Sequence, residues 1–273
     1  CGSCPDLTLE PAIRRDATAE NWRRKKAIYA NSRLFVATPS RWLMDKVDRS
    51  ILAPAIRDAR VIPNGVDLAT FHPTDRRAAR VALGIPLDVT VLLLTTSSFG
   101  SMWKDDATLL AATEEIARGC QGPAPLFIAV GRESAVPRGG GVQVRSVPYQ
   151  SDPRVVAQYY QAADIYMHAA RADNCPLSVL EAMACGLPTI GTTGSGNEEF
   201  MSAENSFLVT TKPVPVPEHA VAEIPVYAGH VWREPDEPAL RQTLRTVFQD
   251  SAIVAAKVQQ ALEDVQIRFS VPA

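Results

Sequence analysis

The feature that most constrains this chain is a series of short apolar runs separated by stretches of helical spacing. Thr90-Val91-Leu92-Leu93-Leu94, Leu126-Phe127-Ile128-Ala129-Val130, Val142-Gln143-Val144 and Asp164-Ile165-Tyr166-Met167-His168 have the length and near-continuous apolarity of strands buried on both faces. Helices are expected over residues 106–118 and 153–162, the first with Leu109, Ala112 and Ile116 pointing inward. Strands and helices in alternation build a parallel sheet covered by helices on both faces, so the expected class is α/β.

The most informative stretch runs from Asp164 to Phe200. A buried strand is followed by a loop, and then by a helix at whose first turn Pro176 is tolerated, because the missing N–H is one a helix leaves unpaired. Leu177, Val179, Leu180, Met183 and Ala184 supply its apolar face, and Gly186 with Pro188 stops it. The next strand, Thr189-Ile190-Gly191-Thr192, leads into Gly194-Ser195-Gly196-Asn197 and then Glu198 and Glu199. Asp173 precedes the helix and Glu181 stands eight residues on, which lets both face the crevice outside the strands' carboxyl ends, where open α/β sheets bind ligands. The helix's first N–H groups and positive dipole end suit a phosphate. Ionised carboxylates only accept hydrogen bonds, which suits sugar hydroxyls. These residues describe a sugar-nucleotide pocket. A single Glu on an amphipathic helix is by default a solvated one, and it is the loop, the proline, the glycine stop and the spacing in combination that favour a site here.

The run Asp173-Asn174-Cys175-Pro176-Leu177-Ser178-Val179-Leu180-Glu181-Ala182-Met183-Ala184-Cys185-Gly186-Leu187-Pro188 resembles the E-x7-E motif of retaining GT-B glycosyltransferases, with Asp173 standing for the first Glu and one methylene shorter. The segment Val61-Ile62-Pro63-Asn64-Gly65-Val66-Asp67, with Phe71-His72-Pro73, is similar to that family's interdomain crossover. The resemblance implies a Rossmann-like doubly wound parallel sheet. Residues 61–273 would be the donor-binding domain, and residues 1–60 the remnant of an acceptor-side Rossmann-like domain. It also implies that residues precede Cys1.

By the same resemblance Asp173 contacts the transferred sugar and Glu181 the ribose hydroxyls. Lys104, at a helix start, matches the family's phosphate-binding lysine. The Arg usual some five residues ahead of it is replaced by Phe99, and Arg171 is the candidate substitute. Gly194 and Gly196 match a Gly-Gly loop, with Asn197 and Glu199 at positions approaching the donor's sugar and phosphates. Cys175, Pro176 and Leu177 join the donor-binding set. Gly131, in Val130-Gly131-Arg132, and Tyr149, in Val147-Pro148-Tyr149-Gln150, fall where the family packs turns against the base. The implied function is hexosyl transfer with retention from a nucleotide diphosphate sugar to a sugar, lipid or protein acceptor, in polysaccharide or glycoconjugate biosynthesis. No metal and no cofactor beyond that co-substrate is implied. The alternatives are a non-catalytic nucleotide-sugar binding protein and a nucleotide-sugar epimerase or phosphorylase on the same fold.

Composition narrows the rest. A net charge of -2 gives no global attraction to nucleic acid. No apolar run approaches the roughly 20 residues that span a bilayer, and no secretory signal opens the chain, so the expected location is cytoplasmic. Five cysteines, an odd count, point to reduced thiols. Cys1 and Cys4 form a lone C-x-x-C, and His72, His168, His219 and His230 are not at ligand spacing, so no metal site is expected. Asp105-Asp106 lacks the Asp-x-Asp spacing and suits a helix cap. Arg23-Arg24-Lys25-Lys26, on a helix expected over residues 18–31, fits either a solvated face or peripheral contact with an anionic membrane. Beyond it come a strand, Leu34-Phe35-Val36-Ala37, with no parallel neighbour expected in the chain, and a helix opened by Thr38-Pro39. Glu204-Asn205-Ser206-Phe207-Leu208-Val209 reads as the sheet's last strand, residues 212–232 as a proline-rich surface excursion, and two amphipathic helices close the chain. Leu240, Leu244, Val247 and Phe248 line the first of these, and Ile253, Val254, Val258, Ala261 and Leu262 the second.

Overall fold

The computed structural model describes residues 4, 6–8, 12–95, 106–119, 123–131 and 142–271. The chain divides into two compact units, Cys1–Pro63 with Pro213–Glu234, and Asn64–Lys212 with Pro235–Ala273. Compared with a contiguous division at residue 60, the break falls at Pro63 and the proline-rich excursion groups with the first unit.

The first unit opens with helix α1 (Thr18–Ala30), which buries no residue. Strand β1 (Leu34–Thr38), helix α2 (Arg41–Asp48) and strand β2 (Ile56–Val61) follow. The expectation that β1 lacks a neighbour is corrected: it pairs in parallel with β2, from Leu34 opposite Ile56 to Thr38 opposite Val61. Helix α2 is the crossover a parallel pair requires. Charged Arg57, Asp58 and Arg60 interrupt β2, so no apolar run marks it. The expected helix opening at Thr38-Pro39 is also corrected. Thr38 ends β1, and α2 begins after Ser40, whose Oγ accepts from the Leu43 N–H at 3.3 Å.

The second unit begins with helix α3 (Arg76–Leu83), capped by Asp75 and closed at Gly84, whose φ of +58° is one glycine adopts without strain. Its sheet comprises β3 (Val91–Thr95), β4 (Leu126–Val130), β5 (Gln143–Val147), β6 (Ile165–His168), β7 (Thr189–Thr192) and β8 (Phe207–Val209). The order is β5-β4-β3-β6-β7-β8 and every pair is parallel. Helices α4 (Asp106–Gly119), α5 (Pro153–Ala162) and α6 (Leu177–Ala184) connect these strands. Past β8 the chain passes into the excursion that groups with the first unit, where strands β9 (Thr211–Pro215) and β10 (Val231–Pro235) flank α7 (Glu218–Glu223); Val216 N–H donates to His230 O and Asp236 N–H to Thr210 O, an antiparallel ladder that gives the excursion its order. Helices α8 (Glu237–Gln249) and α9 (Ser251–Asp264) end the second unit.

Alternation along the strands sends residues to two cores. Val91, Leu93 and Ile128 pack with Tyr160, Leu180, Met183 and Ala261 beneath α5, α6 and α9. Leu92, Leu94 and Phe127 pack with Leu109, Leu240 and Leu244 beneath α4 and α8. Each fully buried leucine contributes about 2 kcal/mol. Of the residues expected inside, Leu177 is 42% exposed because it begins α6 on the solvent side, and Ile253 is equally exposed in the first turn of α9.

The sheet's lower edge is tied by charge. Asp164, just before β6, accepts from Arg80 Nη2 at 2.5 Å, Arg76 Nη1 at 2.7 Å and the Val91 N–H at 2.7 Å. Buried Arg80 also donates to the carbonyls of Ala162 and Val89. At the other end of the unit's signature helix, Gly186 (φ +75°) closes α6: its N–H bonds to Met183 O and that of Leu187 to Ala182 O, as a left-handed helix stop requires.

Candidate functional site

The strand order places β3 beside β6, where winding across the sheet reverses, the position outside whose carboxyl ends open α/β sheets bind ligands. Thr95 ends β3 and His168 ends β6. Loop 169–176 rises from β6 to α6, and loop 193–200 rises from β7.

These two loops are built as one piece. Ala170 N–H donates to Thr192 Oγ1 at 3.0 Å, and that hydroxyl donates to Ala170 O at 2.8 Å. Gly196 N–H donates to Asp173 O at 2.7 Å. A Cβ on Gly196 would lie 1.6 Å from Asn174 O and 3.0 Å from Asp173 O, so only glycine fits. Gly194 has a φ of +92°, and its N–H donates to Glu198 Oε2 at 2.9 Å. Asn197 is placed by this loop with its side chain turned inward. It is fully buried, its Nδ2 donates to Thr192 O, and its Oδ1 accepts from Ser195 Oγ, so it folds the loop and leaves only backbone for a ligand.

Asp173 presents its carboxylate at this junction, 23% exposed, with Oδ2 3.5 Å from Nε2 of the fully buried His168. Glu181 lies on α6, and the Tyr160 hydroxyl donates to its Oε2 at 2.9 Å. Burial raises the Glu181 pKa above the ordinary carboxylate value, and the Tyr160 bond, which favours the charged form, partly offsets this. The hydroxyls of Thr95 and Tyr166 share a 2.8 Å hydrogen bond. Burial drives the phenols of Tyr160 and Tyr166 well above their usual pKa, so both stay neutral donors. Tyr166 also feels the charges of Glu181 and Asp173, which puts one phenol within electrostatic reach of both acids.

The remaining sequence-derived positions are spread along the same edge. Gly131 (φ +105°) follows β4, its N–H bonded to Val147 O, and Tyr149, 75% exposed, lies just past β5. Arg171 is half-buried within loop 169–176. Pro176 is the buried residue at the N-cap of α6, one position ahead of the first turn, and Leu177 next to it is exposed. Cys175 is half-buried, its thiol pKa raised by burial, with Asn64 as hydrogen-bond neighbour. Glu199 is partly exposed, and its carbonyl accepts from Arg268 Nη2 at 3.4 Å. Lys104, Phe99, Asp105, Arg132 and Cys1 lie outside the described residues. The described residues include no group of three or more His, Cys, Asp or Glu that could hold a metal ion, and no helix among them is long and apolar enough to cross a membrane.

Sequence reasoning passed over His168, Tyr160, Tyr166 and Thr95. The signal was available for two of them: a histidine closing a buried strand five residues before an acid, and a threonine ending the strand beside it. For the tyrosines nothing local distinguished a hydroxyl aimed at an acid from ordinary core packing.

A six-stranded parallel sheet in this order, with an acidic loop and a glycine loop locked together at its switch point, is a Rossmann-like sheet of the kind found in GT-B folds. Residues 91–223 match the family model of glycosyl transferases group 1. The chain is 34% identical over 145 residues to a D-inositol 3-phosphate glycosyltransferase 2 of Catenulispora acidiphila, covering 48% of this chain and 34% of that protein. The chain spans about a third of the length of the curated relatives it matches. Among solved structures, sucrose-phosphate synthase from Thermosynechococcus elongatus superposes with a TM-score of 0.66 at 24% identity, over 94% of this chain and 59% of that one. Anabaena HepE, solved in complex with UDP and glucose, gives 0.62 at 18% identity, over 97% and 66%. At these identities the likeness is one of fold.

Proposed function

We propose that this chain carries the nucleotide-sugar side of a metal-independent, retaining glycosyltransferase, and that the crevice between β3 and β6 holds the donor. The observation that carries the reading is the 2.7 Å bond from Gly196 N–H to Asp173 O, which joins the glycine loop and the acidic loop at one place beside the start of α6. In this reading Asp173 accepts hydrogen bonds from the transferred sugar and Glu181 from the ribose. Gly194, Gly196, Glu199 and the backbone of Asn197 follow the phosphates. Gly131 and Tyr149 border the base, and Arg171, Cys175, Pro176 and Leu177 surround the diphosphate.

As the sugar's anomeric bond breaks, negative charge gathers on the departing diphosphate. Lys104, Arg171 and the amides at the helix start would stabilise it as fixed, preorganised donors, without a divalent ion. The two acids hold ribose and sugar so that the acceptor meets the anomeric carbon in one orientation. HepE's complex with UDP and glucose makes UDP-sugars the first donors to test. The acceptor is a sugar, lipid or protein hydroxyl, and the place of action the cytoplasm, with Arg23-Arg24-Lys25-Lys26 as the candidate contact with an anionic membrane.

A second reading, donor binding without transfer, is favoured by the drawing of the shorter Asp173 towards His168. Melting curves against UDP, GDP and ADP and their glucose and mannose conjugates test both. Ligand at about 100 times its Kd stabilises by roughly 2.7 kcal/mol, a clear rise in Tm. Glu181→Ala is expected to remove the rise. A wild-type Tm indifferent to every nucleotide rules out both readings, and release of nucleotide in the presence of acceptor separates the first from the second.

A further inference from the structure

We infer that Tyr160 is a positioning residue for Glu181: its buried hydroxyl holds one carboxylate oxygen and leaves the other turned to the ribose of a bound nucleotide. The inference rests on the donor site proposed above and adds to it a residue outside the motif.

Tyr160 is completely buried on α5, and its ring cannot swing aside. Phe71 packs against it edge-on with centroids 6.0 Å apart, and Tyr166 at 5.5 Å. Its single hydroxyl proton has two neighbouring acceptors, Glu181 Oε2 at 2.9 Å and Thr95 Oγ1 at 3.5 Å. The carboxylate is nearer and charged, so it takes the proton. Thr95 in turn shares a 2.8 Å bond with the Tyr166 hydroxyl, so that a chain of three hydroxyls runs from the end of β3 to the acid. Phenylalanine would fill this core equally well, whereas a buried hydroxyl costs stability unless it is bonded. What the hydroxyl adds is a fixed direction for Glu181, a side chain that otherwise has three torsions to order before it can accept from a ligand.

The groups facing Glu181 are Tyr160 from α5, Tyr166 from β6 and, one turn on at the end of α6, Cys185; Asp173 acts on the same Tyr166. Both phenols and the thiol remain neutral near pH 7, so the carboxyl of Glu181 is the group that titrates. The Tyr160 bond favours its charged form, and removing that bond moves its titration further upward.

The test is a cycle of Tyr160→Phe, Glu181→Leu and the double variant, titrated calorimetrically with UDP, GDP and ADP between pH 5 and pH 8. A parallel 13C NMR titration follows the Glu181 carboxyl without ligand. Tyr160→Phe is expected to weaken nucleotide binding about tenfold, the worth of a hydrogen bond to a charged group. It should shift the acid limb of the affinity profile to higher pH, and cost nothing further in a protein that already carries Glu181→Leu, which has no acceptor. A loss on Tyr160→Phe that is equal in the wild-type and Glu181→Leu backgrounds overturns the inference, as does a carboxyl that titrates identically in wild type and Tyr160→Phe. Wild-type protein that binds none of the three nucleotides overturns the donor reading and the ribose role with it, while the NMR titration decides separately whether Tyr160 governs the acid.

Discussion

Gly196→Ala separates steric need from conformational need at the junction of the two loops. The φ of Gly196 is not among the left-handed ones, so alanine carries no backbone penalty there. Its Cβ would instead meet Asn174 O at 1.6 Å and Asn174 C at 2.4 Å, backbone atoms that no rotamer change can move. One loop must retreat by about 1.5 Å, which costs roughly 1–3 kcal/mol as overpacking does elsewhere in tightly packed interiors. The retreat also breaks the bond from Gly196 N–H to Asp173 O, worth about 1 kcal/mol. A loss of about 2–4 kcal/mol lowers Tm by roughly 5–15 °C in a domain of this size. Because the same movement shifts Asp173, nucleotide affinity should fall with stability. Gly84→Ala is the contrast: its Cβ meets nothing within 4 Å, and only its φ of +58° opposes the change, at about 1 kcal/mol. Urea midpoints and UDP calorimetry on both variants read the two effects. A Gly196→Ala protein that melts within a degree of wild type and binds UDP unchanged would refute the close contact between the loops.

Two further outcomes follow from the charged groups. The folded-state pKa of Glu181 is raised by burial, so its contribution to stability is fully present below its unfolded pKa and is lost as pH rises through the folded one. Glu181→Gln should therefore be at least as stable as wild type at pH 7 while binding nucleotide poorly, and the stability gain should vanish as pH falls towards 4.5; a Glu181→Gln variant that melts lower at pH 7 contradicts this. Arg80→Ala leaves two buried carbonyls unpaired and takes one of its two arginine partners from Asp164, with an expected loss of about 2–4 kcal/mol in urea denaturation, and a loss under about 1 kcal/mol would show the lower-edge network to be dispensable.

The larger fold was legible because its strands are buried on both faces and therefore written as unbroken apolar runs, as in Val91 to Leu94 and Leu126 to Val130. The helix after Pro176 was legible through its stop at Gly186, a backbone demand that few residues meet. Strand β2 was not, since both of its faces carry charge, Arg57 on one and Asp58 with Arg60 on the other, and its pairing depends on β1 across an intervening helix. The site shows the same division. Asp173, Glu181 and the glycines announce themselves by spacing, but the reason for Gly196 is the carbonyl of Asn174, a contact set by the packing of two loops. That the Asn197 side chain braces the loop from within was not legible, because a short polar side chain in a tight loop finds its own backbone first. His168 beside Asp173 and Tyr160 beside Glu181 become neighbours only once the sheet is assembled.

The knot of Asp164, Arg80 and Val91 has a mechanical consequence. By lashing the first residues of β3 to those of β6, it prevents those strands from splaying at their base. On the donor reading proposed above, the widening that admits or releases a nucleotide is then left to the loops, over a sheet whose base acts as a fixed anvil.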